Sequence, residues 1–273
     1  MKTWGYLFLI FMAIGCEDVI DLDIPEEDPR LIVDALIRID PDAFVIRFGV
    51  QVNETSGFFG EIPATNLKQI TMGGLVLQDT ANPGSGLYEN YLAPVGLTKE
   101  EVVFQVQHKD QRYLARAIYQ DSSPIETLKQ GPGNTFNDNT EVIISFKDDP
   151  EAENFYLFDF DQKNYMVSSD KFYNGQNYEF SYKYNKKIEP GTEITVSILG
   201  IDRSFFNYMN IVINQTKEET DLFDTPVSTL RGNIINVTEI DNIDYFDNVD
   251  QTNNFALGYF ALAQTYTKTL VIE

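Results

Sequence analysis

From Leu31 onward the chain is written in short β-branched and aromatic runs broken by turn residues, and no other feature constrains its fold as much. Runs of about 4–8 such residues bounded by Pro, Gly, Asn or Asp read as strands, because branched and aromatic side chains suit a pleated, half-buried surface. Leu31-Ile32-Val33-Asp34-Ala35-Leu36-Ile37-Arg38-Ile39 closes at Asp40-Pro41-Asp42. Phe44-Val45-Ile46-Arg47-Phe48-Gly49-Val50-Gln51-Val52 follows, which predicts two strands around a turn. Further strands are predicted over 74–78, 86–92, 101–108 and 112–119, separated by Asn82-Pro83-Gly84, Pro94-Val95-Gly96 and Lys109-Asp110. Short strands at such regular spacing point to a β-sandwich.

Ser122-Ser123-Pro124 and Gln130-Gly131-Pro132-Gly133-Asn134 predict a linker over 126–139 between two domains, 30–125 and 140–273. The second half opens with strands over 141–146 and 155–160. The latter carries Phe155 and Leu157 on one face and Tyr156, Phe158 and Phe160 on the other, the mark of a strand covered on both sides. Glu189-Pro190-Gly191-Thr192 launches a strand over 193–199. Only one stretch has helical period: Phe205, Tyr208, Met209 and Val212 lie at i, i+3, i+4 and i+7, with Asp202 or Ser204 as N-cap. They predict an amphipathic helix over about 203–216. Strands over 230–237, 255–264 and 268–272 close the chain, with an acidic stretch reaching Asn254 between the first and second of them.

The N-terminus reads differently. Met1-Lys2-Thr3 precede an apolar run from Trp4 to Ile14, and Gly15-Cys16 then meets Glu17-Asp18. The run is roughly eleven residues, well short of the ~20 that span a bilayer as a helix, so residues 1–15 read as a cleaved signal peptide. Ala13-Ile14-Gly15-Cys16 reads as a lipobox, with Ala13 where leucine is commoner, and the expected modification is acylation of Cys16. Cys16 is the only cysteine, so no intrachain disulfide is available. Residues 16–29 mix acidic and apolar side chains up to Pro25, carry Glu26-Glu27-Asp28 before Pro29, and read as a lipidated acidic tether. About 258 residues remain after cleavage, more than one small core normally uses. With 43% hydrophobic and 13% aromatic residues the chain can fill two cores. A net charge of −22 excludes nucleic acid as a main partner and any polybasic attraction to anionic lipid, so membrane attachment falls to the acyl chains.

Several segments, in this order, resemble a lipoprotein family of the Bacteroidota catalogued as domain of unknown function 4249. They are Cys16-Glu17-Asp18-Val19-Ile20-Asp21-Leu22, Pro29-Arg30-Leu31-Ile32-Val33, Gly86-Leu87-Tyr88 and Asp170-Lys171-Phe172-Tyr173-Asn174-Gly175. Pro190-Gly191-Thr192-Glu193-Ile194-Thr195-Val196, the helix through Tyr208, Arg231-Gly232-Asn233-Ile234 and Leu257-Gly258-Tyr259-Phe260 complete the set. The resemblance implies a mainly β protein with an immunoglobulin- or transthyretin-like sandwich followed by a fibronectin-like one, with one amphipathic helix in the second. It also implies a lipid-anchored outer-membrane location facing the cell exterior and an association with TonB-dependent transporters. It supplies no catalytic residues.

Catalytic schemes lack parts. His108 is the only histidine and sits beside Lys109-Asp110, where a solvated turn residue is expected. Ser-His-Asp, Cys-His and zinc arrangements are therefore incomplete, and 42 Asp and Glu make any single carboxylate pair uninformative. Two segments read as contact surface. Gly57-Phe58-Phe59-Gly60 sets two aromatics in a Gly-flanked loop, where they can anchor a partner or cover the sandwich edge. The acidic stretch places Tyr245 and Phe246 among Asp241, Asp244, Asp247 and Asp250. These carboxylates are hard oxygen ligands of the kind calcium prefers, although their spacing matches no named loop and a solvated acidic loop competes. The expected function is a non-enzymatic accessory or ligand-capture lipoprotein of a TonB-dependent transporter system, and the alternative is a structural or adhesive subunit of an outer-membrane complex. A glycan hydrolase ranks third.

Overall fold

The computed structural model describes residues 28–56, 61–79, 83–133, 139–216, 230–240 and 255–273. The protein is mainly β. In the first half, β1 (Leu31–Ile39) and β2 (Ile46–Glu54) form the predicted antiparallel pair. They are followed by β3 (Gln69–Met72), β4 (Leu75–Val76), β5 (Leu87–Leu92), β6 (Val102–His108) and β7 (Gln111–Ala117). The second half contains β8 (Ile125–Gln130), β9 (Glu141–Lys147), β10 (Phe155–Asp159), β11 (Tyr165–Ser169), β12 (Asn177–Lys183) and β13 (Glu193–Ile201). The helix α1 (Arg203–Gln215), β14 (Arg231–Asn236) and β15 (Phe255–Val271) follow.

β15 organises the molecule. Its first half runs parallel to β1, from Ile32 opposite Leu257 to Ile39 opposite Gln264. Its second half runs antiparallel to β13, from Leu199 opposite Thr265 to Glu193 opposite Val271. The two closing strands expected at 255–264 and 268–272 are thus one, because Thr265, Tyr266 and Thr267 between them are strand formers with no breaker. One strand serves both cores, and β14 and the start of β15, from the far end of the sequence, complete the first.

The first core is enclosed by the strand path β4-β3-β6-β7-β14-β15-β1-β2-β5. Gln78 and Glu89 exchange backbone hydrogen bonds of 3.0 and 2.9 Å beyond β4 and in β5, so the two ends of that path meet. Strict alternation along β1 sends Leu31, Val33, Ala35, Ile37 and Ile39 inward and leaves Ile32, Asp34, Leu36 and Arg38 on the outer face. Phe104 of β6 stacks on Phe260 of β15 with ring centroids 4.9 Å apart.

In the second half a three-stranded sheet, β12-β9-β8, faces the stretch β11-β10-β13-β15. β8 occupies the beginning of the stretch read from sequence as a linker at 126–139. Its pairing with β9, from Ile125 opposite Phe146 to Gln130 opposite Val142, makes it part of this sheet. β10 is flanked by β11 and β13, and Tyr156, Leu157 and Phe158 are buried on both of its faces, as its sequence predicts. β12 contributes Tyr178, Phe180 and Tyr182 from its inner face; the Tyr182 ring stacks on Phe160 at 3.9 Å. A buried polar knot pins one corner. The Tyr156 hydroxyl donates to Asp148 Oδ1 at 2.6 Å, and the Gly175 amide donates to Asp148 Oδ2 at 2.8 Å.

A groove beneath the helix as candidate functional site

α1 starts at Asp202, whose side chain accepts from the Phe205 amide at 2.7 Å and settles the N-cap. The helix lies over the outer face of the sheet formed by β10, β13, β15 and β1. Its apolar stripe is used unevenly. Phe205 is buried against Tyr259 at 4.7 Å between centroids, and Tyr208 packs on the same Tyr259 at 5.0 Å. Met209, Val212 and Ile213 are only half-buried. The sequence predicts that the whole stripe serves packing; the structure docks its N-terminal turn and leaves the following turns as the wall of a groove.

That groove encloses about 850 Å³, within the roughly 300–1,000 Å³ typical of small-molecule sites. Ile32, Leu36, Leu157 and Leu257 line its floor, and Met209, Val212 and Ile213 line its wall. Covering such half-buried aliphatic side chains with an apolar occupant is favourable at about 25 cal/mol per Å². Polar groups gather at the mouth: Asp34, Lys163 and the phenols of Tyr165 and Tyr208. Arg38, next along the outer face of β1, donates to Asp159 Oδ2 at 2.6 Å and so has its charge met. Lys163 and Asp34 have no ion-pair partner among the described residues. Burial, and then the Asp34 carboxylate, push the Tyr208 phenol above its ordinary pKa; burial and then Asp159 do the same for Tyr165. Both phenols therefore present hydroxyls at neutral pH.

Lys163 reaches the mouth through a strained turn. Asp161, Gln162 and Lys163 have φ values of 66°, 49° and 66°, three successive side chains in the left-handed region. Each such residue costs about 1–2 kcal/mol. Hydrogen bonds hold the turn in place: Asn164 donates its amide to the Asp161 carbonyl at 2.9 Å, Phe160 donates to the Asn164 carbonyl at 2.8 Å, and the Asp161 amide donates to Asp159 Oδ1 at 3.0 Å.

The floor is built where three of the sequence motifs meet. A Cβ on Gly232 would overlap the Gly258 carbonyl oxygen, and one on Gly258 would overlap the Val33 carbonyl oxygen. Asn233 fills the resulting irregularity between β14 and β15: its Nδ2 donates to the Phe260 carbonyl at 2.8 Å and its Oδ1 accepts from the Phe260 amide at 2.9 Å. Arg30 and Arg231 both sit over the Phe255 ring, at 4.6 and 4.2 Å. These motifs are devices for close backbone approach and aromatic stacking.

Every site residue proposed from sequence lies outside the described residues: Cys16, Phe58, Phe59, Tyr245, Phe246, Asp241, Asp244, Asp247 and Asp250. Among the described residues no group of three His, Cys, Asp or Glu is placed to hold a metal. His108 departs from expectation. It shares the inward parity of Val102, Phe104 and Val106, is 6% exposed, and lies with Nε2 2.8 Å from Glu54 Oε1. Lys109 donates to the same oxygen at 2.7 Å. Burial raises the Glu54 pKa, but hydrogen bonds from Lys109 and His108 outweigh it and hold the carboxyl below its ordinary range. The arrangement clamps the end of β2 to the end of β6. The groove residues escaped the sequence reading because their signal is a stripe that looks like core until the sheet beneath it is known.

A mainly β fold carrying a ligand-sized groove under its one described α-helix defines the class of protein. The chain belongs to the family described as Domain of unknown function (DUF4249), which matches residues 17–269. No curated protein matches the chain.

Proposed function

We propose that this chain is a non-enzymatic lipoprotein, anchored through acylated Cys16 at the outer face of the outer membrane of a Bacteroidota cell, that holds a ligand for a TonB-dependent transporter. The observation that carries the ligand-holding part is the 850 Å³ groove, apolar along α1 and charged only at its mouth. The anchor rests on the apolar run ending at Cys16, and outward display on Glu17-Asp18 and the acidic tether. The non-enzymatic reading is supported by the lone histidine being buried against Glu54 and by the lone cysteine standing at the lipobox. Isolating the native outer-membrane complex through a tag on this chain tests the reading: a TonB-dependent transporter should co-purify, and recovery with secretion or assembly components instead would contradict it.

A second reading, a structural or adhesive subunit, is favoured by two exposed rings. Phe44, after the β1–β2 turn, is 92% exposed, and Phe172, after β11, is 86% exposed. Apolar rings presented on turns suit contact with another protein surface.

A further inference from the structure

We propose that the groove beneath α1 takes a zwitterionic, single-chain amphiphile, with an anionic head-group oxygen on Lys163, an ammonium on Asp34 and the hydrocarbon chain along Met209, Val212 and Ile213. The inference rests on the groove being a ligand site and specifies its chemistry.

The walls set the body of the ligand. The floor and helix present aliphatic side chains, so an occupant gains by matching them with hydrocarbon and loses wherever it places an unmatched polar group there. The mouth sets the head. It holds one cation and one anion, Lys163 and Asp34, that are not within ion-pair distance of each other and are not met by another charge among the described residues. The neighbouring Arg38 is already joined to Asp159 and adds no net charge. A ligand with a single negative charge satisfies Lys163 but brings a like charge to Asp34, and one with a single positive charge does the reverse. Only a head with both signs answers both groups. Long-range charge points the same way, since a chain of net charge −22 repels an anionic amphiphile before contact and leaves a neutral zwitterion unopposed.

The turn at Asp161-Gln162-Lys163 adds an independent observation. Three successive left-handed side chains persist only where the surroundings hold them, and such strain concentrates at ligand-contacting segments. Here its product is the placement of Lys163 at the mouth. The groove is recessed between α1 and the outer face of β1 and β15, which suits one molecule taken singly.

Titration calorimetry on the mature chain carrying Cys16→Ser tests this, with lysophosphatidylethanolamine below its critical micelle concentration as the probe. The lysophospholipid should bind at one site per chain, and hexadecanoate and hexadecylamine, with one charge each, roughly tenfold or more weakly. Asp34→Asn should weaken lysophospholipid binding about fivefold without weakening hexadecanoate, and Lys163→Gln about fivefold without weakening hexadecylamine. Equal affinity for all three probes, unchanged by either substitution, overturns the zwitterionic head while leaving an apolar ligand site. Absence of binding by any probe to the folded chain overturns the ligand-site reading with it. Binding to zwitterionic bilayer vesicles but not to the dispersed lipid overturns the single-molecule occupant.

Discussion

Gly258 faces Val33 across the parallel pairing of β15 with β1, so closely that a Cβ on Gly258 would overlap the Val33 carbonyl oxygen. Its φ of +92° is also one that side chains rarely adopt. This contact joins β1 to β15 and forms part of the groove floor. Gly258→Ala should therefore destabilise the fold by on the order of 3 kcal/mol, through strain and loss of pairing. Urea unfolding measures it; a loss below about 1 kcal/mol would show that β1 and β15 tolerate separation.

The uneven use of the α1 stripe gives paired expectations. Phe205→Ala opens a cavity against Tyr259 and should cost about 3 kcal/mol or more of stability. Met209→Ser and Val212→Ser, on the half-buried wall, should each cost no more than about 1 kcal/mol yet weaken amphiphile binding. If the wall substitutions unfold the protein as readily as Phe205→Ala, the stripe is core along its whole length.

The strained turn supplies a gain. Gln162 has φ 49° and is exposed, so Gln162→Gly should remove about 1–2 kcal/mol of steric cost against about 0.5–1 kcal/mol of added chain entropy. A net stabilisation of about 0.5–1 kcal/mol with binding retained is the expected outcome of thermal melts and calorimetry.

Glu54 sets a pH dependence. Its carboxyl is held below its ordinary value of 4.5 in the folded protein, so the stability it contributes is complete above that value and is lost as the pH falls through the lower folded one. Between about pH 5 and about pH 3 the wild type should lose more stability than Glu54→Gln, with the two curves converging at the acid end. Parallel curves would mean that the Lys109 and His108 contacts contribute nothing.

Much of this architecture is legible in the sequence. Leu31–Ile39 is predicted to the residue because β-branched side chains alternate up to an Asp-Pro-Asp turn, and the helix is placed to within a residue by its stripe and the Asp202 cap. β3 and β11 carry no legible signal because four or five residues hold too little periodicity, and β8 carries none because Ile125 to Gln130 lies between two proline-containing segments. β12 also has no counterpart among the predicted strands, although its signal is present: Tyr178, Phe180 and Tyr182 alternate strictly with polar residues. The groove is not legible, because local pattern separates apolar from polar faces but carries no information on how far a helix stands from the sheet beneath it. Asp34 and Lys163, 129 positions apart, are brought to one mouth only by the pairing of β1 with β15, of β15 with β13, and of β13 with β10.

The occupancy of the groove is tested most directly through its methionine. From Cys16 onward the sequence has three: Met72 in the first core, Met166 against the second, and Met209 on the groove wall. With the methionine methyls labelled with carbon-13, addition of lysophosphatidylethanolamine should shift the Met209 resonance in a saturable way and leave those of Met72 and Met166 in place. A Met209 methyl that does not move while calorimetry reports binding would place the ligand elsewhere and contradict the account.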